Sequence, residues 1–172
     1  MKKRVLIILF VLPAVLLVSC LSIGASLRGN DQLDPRYTVE YKGRSHYEIA
    51  DVTYEGLDFL KSKEDQDARL KMAQPNYSKL PQGGAVKCCL YGTTVDNANP
   101  KGYSFIITDS SGTEIVRQKG RDETPEHEAG QYGNTWKAIE IIFIQNEIKN
   151  FPIEMKITRF DGEFVEVIIS KI

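Results

Sequence analysis

The three cysteines are the residues of this chain with most to offer chemically, and their positions separate their uses. Cys20 stands directly after Leu17-Val18-Ser19, at the end of an apolar run from Val5 to Val18 that Lys2, Lys3 and Arg4 precede. A basic start, an apolar stretch and small residues before the break form an export signal, here closed by a cysteine. Cys88 and Cys89 are adjacent within Val86-Lys87-Cys88-Cys89-Leu90-Tyr91, a segment that reads as a strand. Neighbouring strand side chains point to opposite faces, so one thiol is expected in the core and the other outside it. A strained bridge between them, or an interchain one, is the competing reading. Neither a second cysteine pair for zinc nor a C-x-x-C for redox work is present.

The apolar run is about 14 residues, against the roughly 20 that a spanning helix needs, and Pro13 interrupts it. A removable signal is therefore expected over residues 1–19. Leu17 is too bulky for the −3 position of an ordinary cut before Cys20, whereas Ser22 and Gly24 would suit an ordinary cut before Ala25. With Leu17 at −3, Ser19 at −1 and Cys20 at +1, the segment resembles the lipobox of bacterial lipoproteins. That resemblance implies cleavage between Ser19 and Cys20. It also implies a diacylglycerol on the Cys20 thiol and a fatty acid such as palmitate on the freed amine. Two or three such chains anchor a protein essentially permanently. The implied location is the bacterial cell envelope. Leu21, in place of an aspartate, leans towards the outer membrane in a host that has one.

Cleavage leaves 153 residues, with 19 basic against 23 acidic ones, a net charge of −4. That balance excludes the electrostatic footprint of a nucleic-acid binder, and no basic patch stands out. Residues 20–36 have the Ser, Gly, Asn and Asp content of a tether, and 37–172 are the size of one domain.

Acidic side chains are the next candidates. Asp96-Asn97-Ala98-Asn99-Pro100 begins like a calcium loop but has Ala and Pro where oxygen ligands are needed. Asp96, Asp109 and Asp161 could supply calcium ligands from separate loops, although each sits where a turn favours Asp. Arg121 to Gly133 gathers Asp122, Glu123, Glu126, His127 and Glu128 and reads as a solvated loop. Nucleophilic catalysis finds no G-x-S-x-G and no S-x-x-K, and neither His46 nor His127 has a Ser or Cys partner in sequence. No catalytic residue, metal ligand or cofactor beyond the lipid on Cys20 is assigned. Tyr37, Tyr41, Tyr47 and Tyr54 read as core or rim packing.

The elements that would position these residues have a period of two. Strands are expected at Tyr37–Lys42, Ser45–Ile49, Val86–Val95, Tyr103–Thr108 and Thr113–Gln118. The alternation of Val52, Tyr54, Leu57 and Phe59 predicts a strand with a bulge at Gly56. Residues 63–72 fit either a short helix or a strand. Trp136–Gln145 is apolar on both faces (Ile139, Ile141 and Phe143; Ile142 and Ile144), which predicts a central strand covered on both sides. At the C-terminus a three-residue loop, Phe160-Asp161-Gly162, sets Ile157 against Val165, Met155 against Val167 and Ile153 against Ile169. It also puts Gly162 where the left-handed conformation is needed.

About seven or eight short strands predict an all-β antiparallel sandwich, immunoglobulin-like or C2-like. Asn99-Pro100-Lys101-Gly102-Tyr103, Asn134-Thr135-Trp136 and Pro152-Ile153, each opening a strand, resemble C2 domains and would imply calcium or phospholipid binding. The leading expectation is a lipid-anchored, non-enzymatic interaction or structural module. Its partners would be the membrane and an envelope protein, not nucleic acid. A C2-like module and an envelope hydrolase working through loop carboxylates are the alternatives.

Overall fold

The computed structural model describes residues 33–42, 50–130 and 133–172. Within them two antiparallel sheets face each other as an all-β sandwich. The first sheet has strand order β1-β9-β8-β4-β5, from β1 (Tyr37–Lys42), β9 (Phe164–Lys171), β8 (Ile153–Arg159), β4 (Tyr103–Thr108) and β5 (Glu114–Lys119). The second has order β2-β3-β7-β6, from β2 (Ala50–Glu55), β3 (Ala85–Gly92), β7 (Gly133–Phe143) and β6 (Glu126–Gly130).

Alternation decides which side chains fill the space between the sheets. Val52, Val86, Cys88, Leu90 and Ile142 of one sheet meet Phe105, Ile107, Met155, Ile157, Val167 and Ile169 of the other. Full burial of a side chain of this size contributes about 1.5–3 kcal/mol, so these strands supply most of the driving force for folding.

The C-terminal hairpin has the expected register: Ile157 faces Val165, Met155 faces Val167 and Ile153 faces Ile169. Gly162 sits at φ +90° in its three-residue loop, the conformation an L side chain resists. Tyr37–Lys42 and Tyr103–Thr108 are strands with the predicted bounds. The expected Ser45–Ile49 strand lies outside the described residues; β1 pairs with β9.

Four expectations need correction. Strand β2 ends at Glu55, and Gly56 is the extended residue before helix α1 (Leu57–Leu70), so it is a helix cap and not a bulge. Leu57 and Phe59 alternate by accident; the less exposed positions recur at helical spacing and include Lys61, Glu64 and Asp65. Residues 63–70 are nonetheless helical, one of the two readings offered for 63–72; polar residues mixed with Leu57, Leu60 and Ala68 on the inward face blur the hydrophobic period. The strand expected to run to Val95 stops at Gly92, and a short helix α2 (Val95–Ala98) follows, capped by Thr94 through Asn97 N–H at 3.2 Å.

The third correction concerns the acidic stretch after Arg121: Asp122 and Glu123 lie in an exposed loop as expected, but Glu126, His127 and Glu128 do not. Glu126–Gly130 forms β6 against β7, with His127 opposite Trp136. Charged side chains suit an edge strand because they discourage further pairing. Fourth, β7 is covered on one face only. Ile142 is fully buried, but Ile139, Ile141 and Phe143 on the outward face are 36%, 38% and 51% exposed.

The strands give the sandwich two distinct ends. The chain enters at Leu33–Arg36, next to Gly56, the start of α1 and the aromatic cluster Tyr37, Tyr54 and Phe151. The opposite end carries Thr94–Gly102, Lys119–Arg121 and the Phe160–Gly162 loop.

Candidate functional site

The entry end is built around Asp34, whose side chain is wholly buried. Its Oδ2 accepts from Arg36 Nη2 at 2.8 Å and from Gly56 N–H at 3.1 Å, while Oδ1 accepts from Arg36 Nε at 2.9 Å and Arg36 N–H at 3.2 Å. Burial alone would raise this carboxyl. The Arg36 guanidinium and the two N–H groups outweigh it, so Asp34 titrates below the usual carboxylate range. Arg36 also reaches Asp58 in the first turn of α1 at 2.8 Å. One carboxylate therefore ties the entering chain to the junction of β2 and α1.

Beside this clasp a cleft of about 430 Å³ opens between β1 and β2, lined by Tyr37, Val39, Tyr41, Asp51 and Tyr54 among others. Three of its polar side chains are engaged with one another or with the backbone. Tyr41 Oη accepts from Val52 N–H at 2.7 Å and donates to Asp51 Oδ1 at 2.9 Å, so a side chain of one sheet caps the edge strand of the other. Tyr54 Oη donates to the Gly83 carbonyl at 2.5 Å. Burial pushes the phenols of Tyr41 and Tyr54 well above their ordinary value. These tyrosines are packing residues, as expected; Tyr47 and His46 lie outside the described residues.

The opposite side of the sandwich holds the residue that sequence reasoning missed. Glu140 lies on β7, faces inward and is 1% exposed. It accepts from Arg121 N–H and Arg121 Nε, both at 3.2 Å, and from Gln118 Nε2 at 3.4 Å. A buried carboxylate bound by one arginine and an amide is a structural closure of β5 onto β7. The signal was a lone Glu at a core-facing position between Ala138 and Ile142.

The calcium candidates do not come together. Asp109 and Asp161 lie at opposite ends of β4 and its neighbour β8, about 20 Å apart at the rise of a strand. Asp109 Oδ1 accepts from Ser111 Oγ at 2.6 Å and from Ser111 and Thr113 N–H, both at 2.9 Å; these bonds hold its carboxyl below the usual range. Asp161 is bound by Arg159 at 2.6 Å. Asp96 sits exposed on α2. Asn99, in the motif that resembled a calcium loop, instead joins two loops: its Nδ2 donates to Asp122 at 2.9 Å and its Oδ1 accepts from Lys101 N–H at 3.1 Å. Among the described residues no three His, Cys, Asp or Glu side chains converge as metal ligands.

The other positions named from sequence are placed as follows. His127 meets Trp136 edge-on, ring centroids 5.1 Å apart. Cys88 is buried and Cys89 half-buried, and they are not bonded to each other. Burial, with Cys89 and Glu140 nearby, pushes the Cys88 thiol well up, so it is unsuited to nucleophilic chemistry. Leu17, Ser19 and Cys20 lie outside the described residues.

No family model, no curated protein and no solved structure matches this chain.

Proposed function

We propose that this chain is a lipid-anchored envelope lipoprotein whose sandwich serves as a non-enzymatic interaction module. The carrying observation is the Leu17-Val18-Ser19-Cys20 motif behind a basic and apolar leader. A diacylglycerol thioether on Cys20, with an acyl group on its amine, holds the protein at the membrane, in an outer membrane where the host has one. The geometry favours this reading in one further respect. The chain enters the sandwich at one end, while Phe160 and Phe164, 65% and 54% exposed, stand at the other, where an envelope protein could meet them. Both carboxylates lining the cleft between β1 and β2 are already committed, Asp34 to Arg36 and Asp51 to Tyr41, and Asp122 on the far side is held by Asn99 and Lys101. That favours a binding role over hydrolysis.

Metabolic labelling with a fatty acid and detergent phase partitioning test the anchor. The wild-type chain should take up label and enter the detergent phase, and Cys20→Ser should do neither. Unchanged partitioning of Cys20→Ser, or a natural product beginning at Ala25, would refute it.

A further inference from the structure

We infer that the C-terminal tip of α1 is a second membrane contact, dipping Leu70 and Met72 into the surface of the phospholipid bilayer that carries the anchor. The inference rests on the lipid-anchored reading above and adds where the domain touches the membrane. Helix α1 makes only slight contact with either sheet. Leu70 is 77% exposed and Met72 is 97% exposed, so two large apolar side chains crown an element that does not use them for packing. Met72 also adopts φ +51°. It occupies the left-handed position that ends the helix, with Ala73 N–H on the Ala68 carbonyl at 2.8 Å and Met72 N–H on the Arg69 carbonyl at 3.2 Å. Glycine fits that position without strain, and methionine contributes nothing to the fold there. Exposed and strained together, it fits a residue kept for a contact outside the domain.

The reach of the tether argues for the bilayer as the occupant. Asp34, Arg36, Gly56 and Asp58 bind the first turn of α1 to the point where the chain enters. From there the fourteen-residue helix reaches about 21 Å. The thirteen residues from Cys20 to Leu33 span at most about 45 Å even when fully extended, so the bilayer is never farther than that from the entry end. Phe160 and Phe164, the exposed aromatic pair, lie at the other end of β9, about 25 Å away along the strand. Arg69 and Lys71 flank Leu70, and their long stems can lie along an interface with the charges in the headgroup layer. The mature chain is acidic, so the contact is apolar insertion and does not require anionic lipid.

The test uses the full lipidated chain carrying Leu70→Trp, reconstituted in phosphatidylcholine vesicles with and without bromine on the acyl chains. Residue 70 is exposed, so the substitution leaves the fold intact; wild-type protein, with Trp136 alone, supplies the background. Flotation measures anchoring and the difference emission measures the tip. Insertion to the usual depth of about 5–10 Å should shift the residue-70 emission to the blue and cut it about twofold in brominated vesicles. A chain that floats with residue 70 unquenched overturns the tip contact alone, leaving that surface to a protein partner or a second copy. A chain that does not float overturns the anchor and the tip contact together.

Discussion

Removing Arg121 should cost more than removing Arg121 and Glu140 together. Glu140 is 1% exposed, and its contacts are two donors from Arg121 at 3.2 Å and Gln118 Nε2 at 3.4 Å. Arg121→Met keeps the N–H but takes away the cation paired with Glu140, leaving a carboxylate inside the sandwich. Breaking a fully buried pair costs about 3–5 kcal/mol. Arg121 is 65% exposed, so water can reach the vacated side, and about 2 kcal/mol is the working figure. For a domain of this size that lowers Tm by about 8 °C. Glu140→Leu fills the same space without a charge and orphans only the Arg121 N–H, at about 1 kcal/mol. In the double variant the carboxylate is absent, so Arg121→Met should then cost little, giving a coupling of at least about 1.5 kcal/mol. Urea unfolding of the four proteins measures the cycle. Additive effects, or an Arg121→Met variant within about 0.5 kcal/mol of wild type, would refute the role given to this pair.

Two further perturbations test the backbone and the entry clasp. Met72→Gly should stabilise the protein by about 0.5–1 kcal/mol and Gly162→Ala should destabilise it by about as much, because each changes only the cost of a positive φ at an open position; equal effects of the same sign in urea unfolding would contradict this. Asp34 has a folded pKa below its unfolded value, so its stabilisation is complete above about pH 4 and is lost as pH falls through the folded value. Asp34→Asn should therefore lower the urea midpoint at pH 7 and flatten its decline in acid, and parallel acid limbs for the two proteins would count against the clasp.

What could be read from the sequence was whatever depended on alternation alone. The β8–β9 register followed from matching Ile153, Met155 and Ile157 to Val165, Val167 and Ile169, since a slip of one residue would turn three apolar side chains into solvent. Helix α1 was half legible, as one of two readings of residues 63–72, because the less exposed positions there include polar ones: Glu64 accepts from Asn76 N–H at 2.8 Å and Asp65 accepts from the Tyr77 hydroxyl. Such partners, twelve residues distant, leave no mark on a hydrophobic pattern. Strand β6 was missed for a related reason. Glu126 and His127 are what an edge strand needs and also what a solvated loop contains. On β7 the period was right and the environment wrong, because an apolar residue can face solvent as readily as a second layer. Glu140 drew no attention because one carboxylate among isoleucines looks the same whether it is bonded or not.

A two-layer sandwich leaves open sides as well as open ends, and here the sides are closed by polar side chains. Tyr41 crosses from β1 to cap Val52 N–H and hold Asp51 on one side. Glu140 receives Arg121 and Gln118 on the other. Both closures use groups that would serve well in a binding cleft, and in each the donors and acceptors are directed at one another. Satisfied in this way they exclude water and add specificity to the fold, at the expense of reactivity. Among the described residues, large exposed apolar side chains then remain on the outward face of β7, with Ile139, Ile141 and Phe143, and towards the ends, with Leu70 and Met72 on α1, which begins where the chain enters, and Phe160 and Phe164 opposite. The division has a mechanical consequence. A contact made at the far hairpin is carried by β8 and β9 through the core to β1 and the Asp34 clasp. A partner bound at Phe160 would therefore pull along paired strands, the direction in which their hydrogen bonds share the load, and the entering segment is held against that load by Asp34 on Gly56 N–H and Arg36 on Asp58.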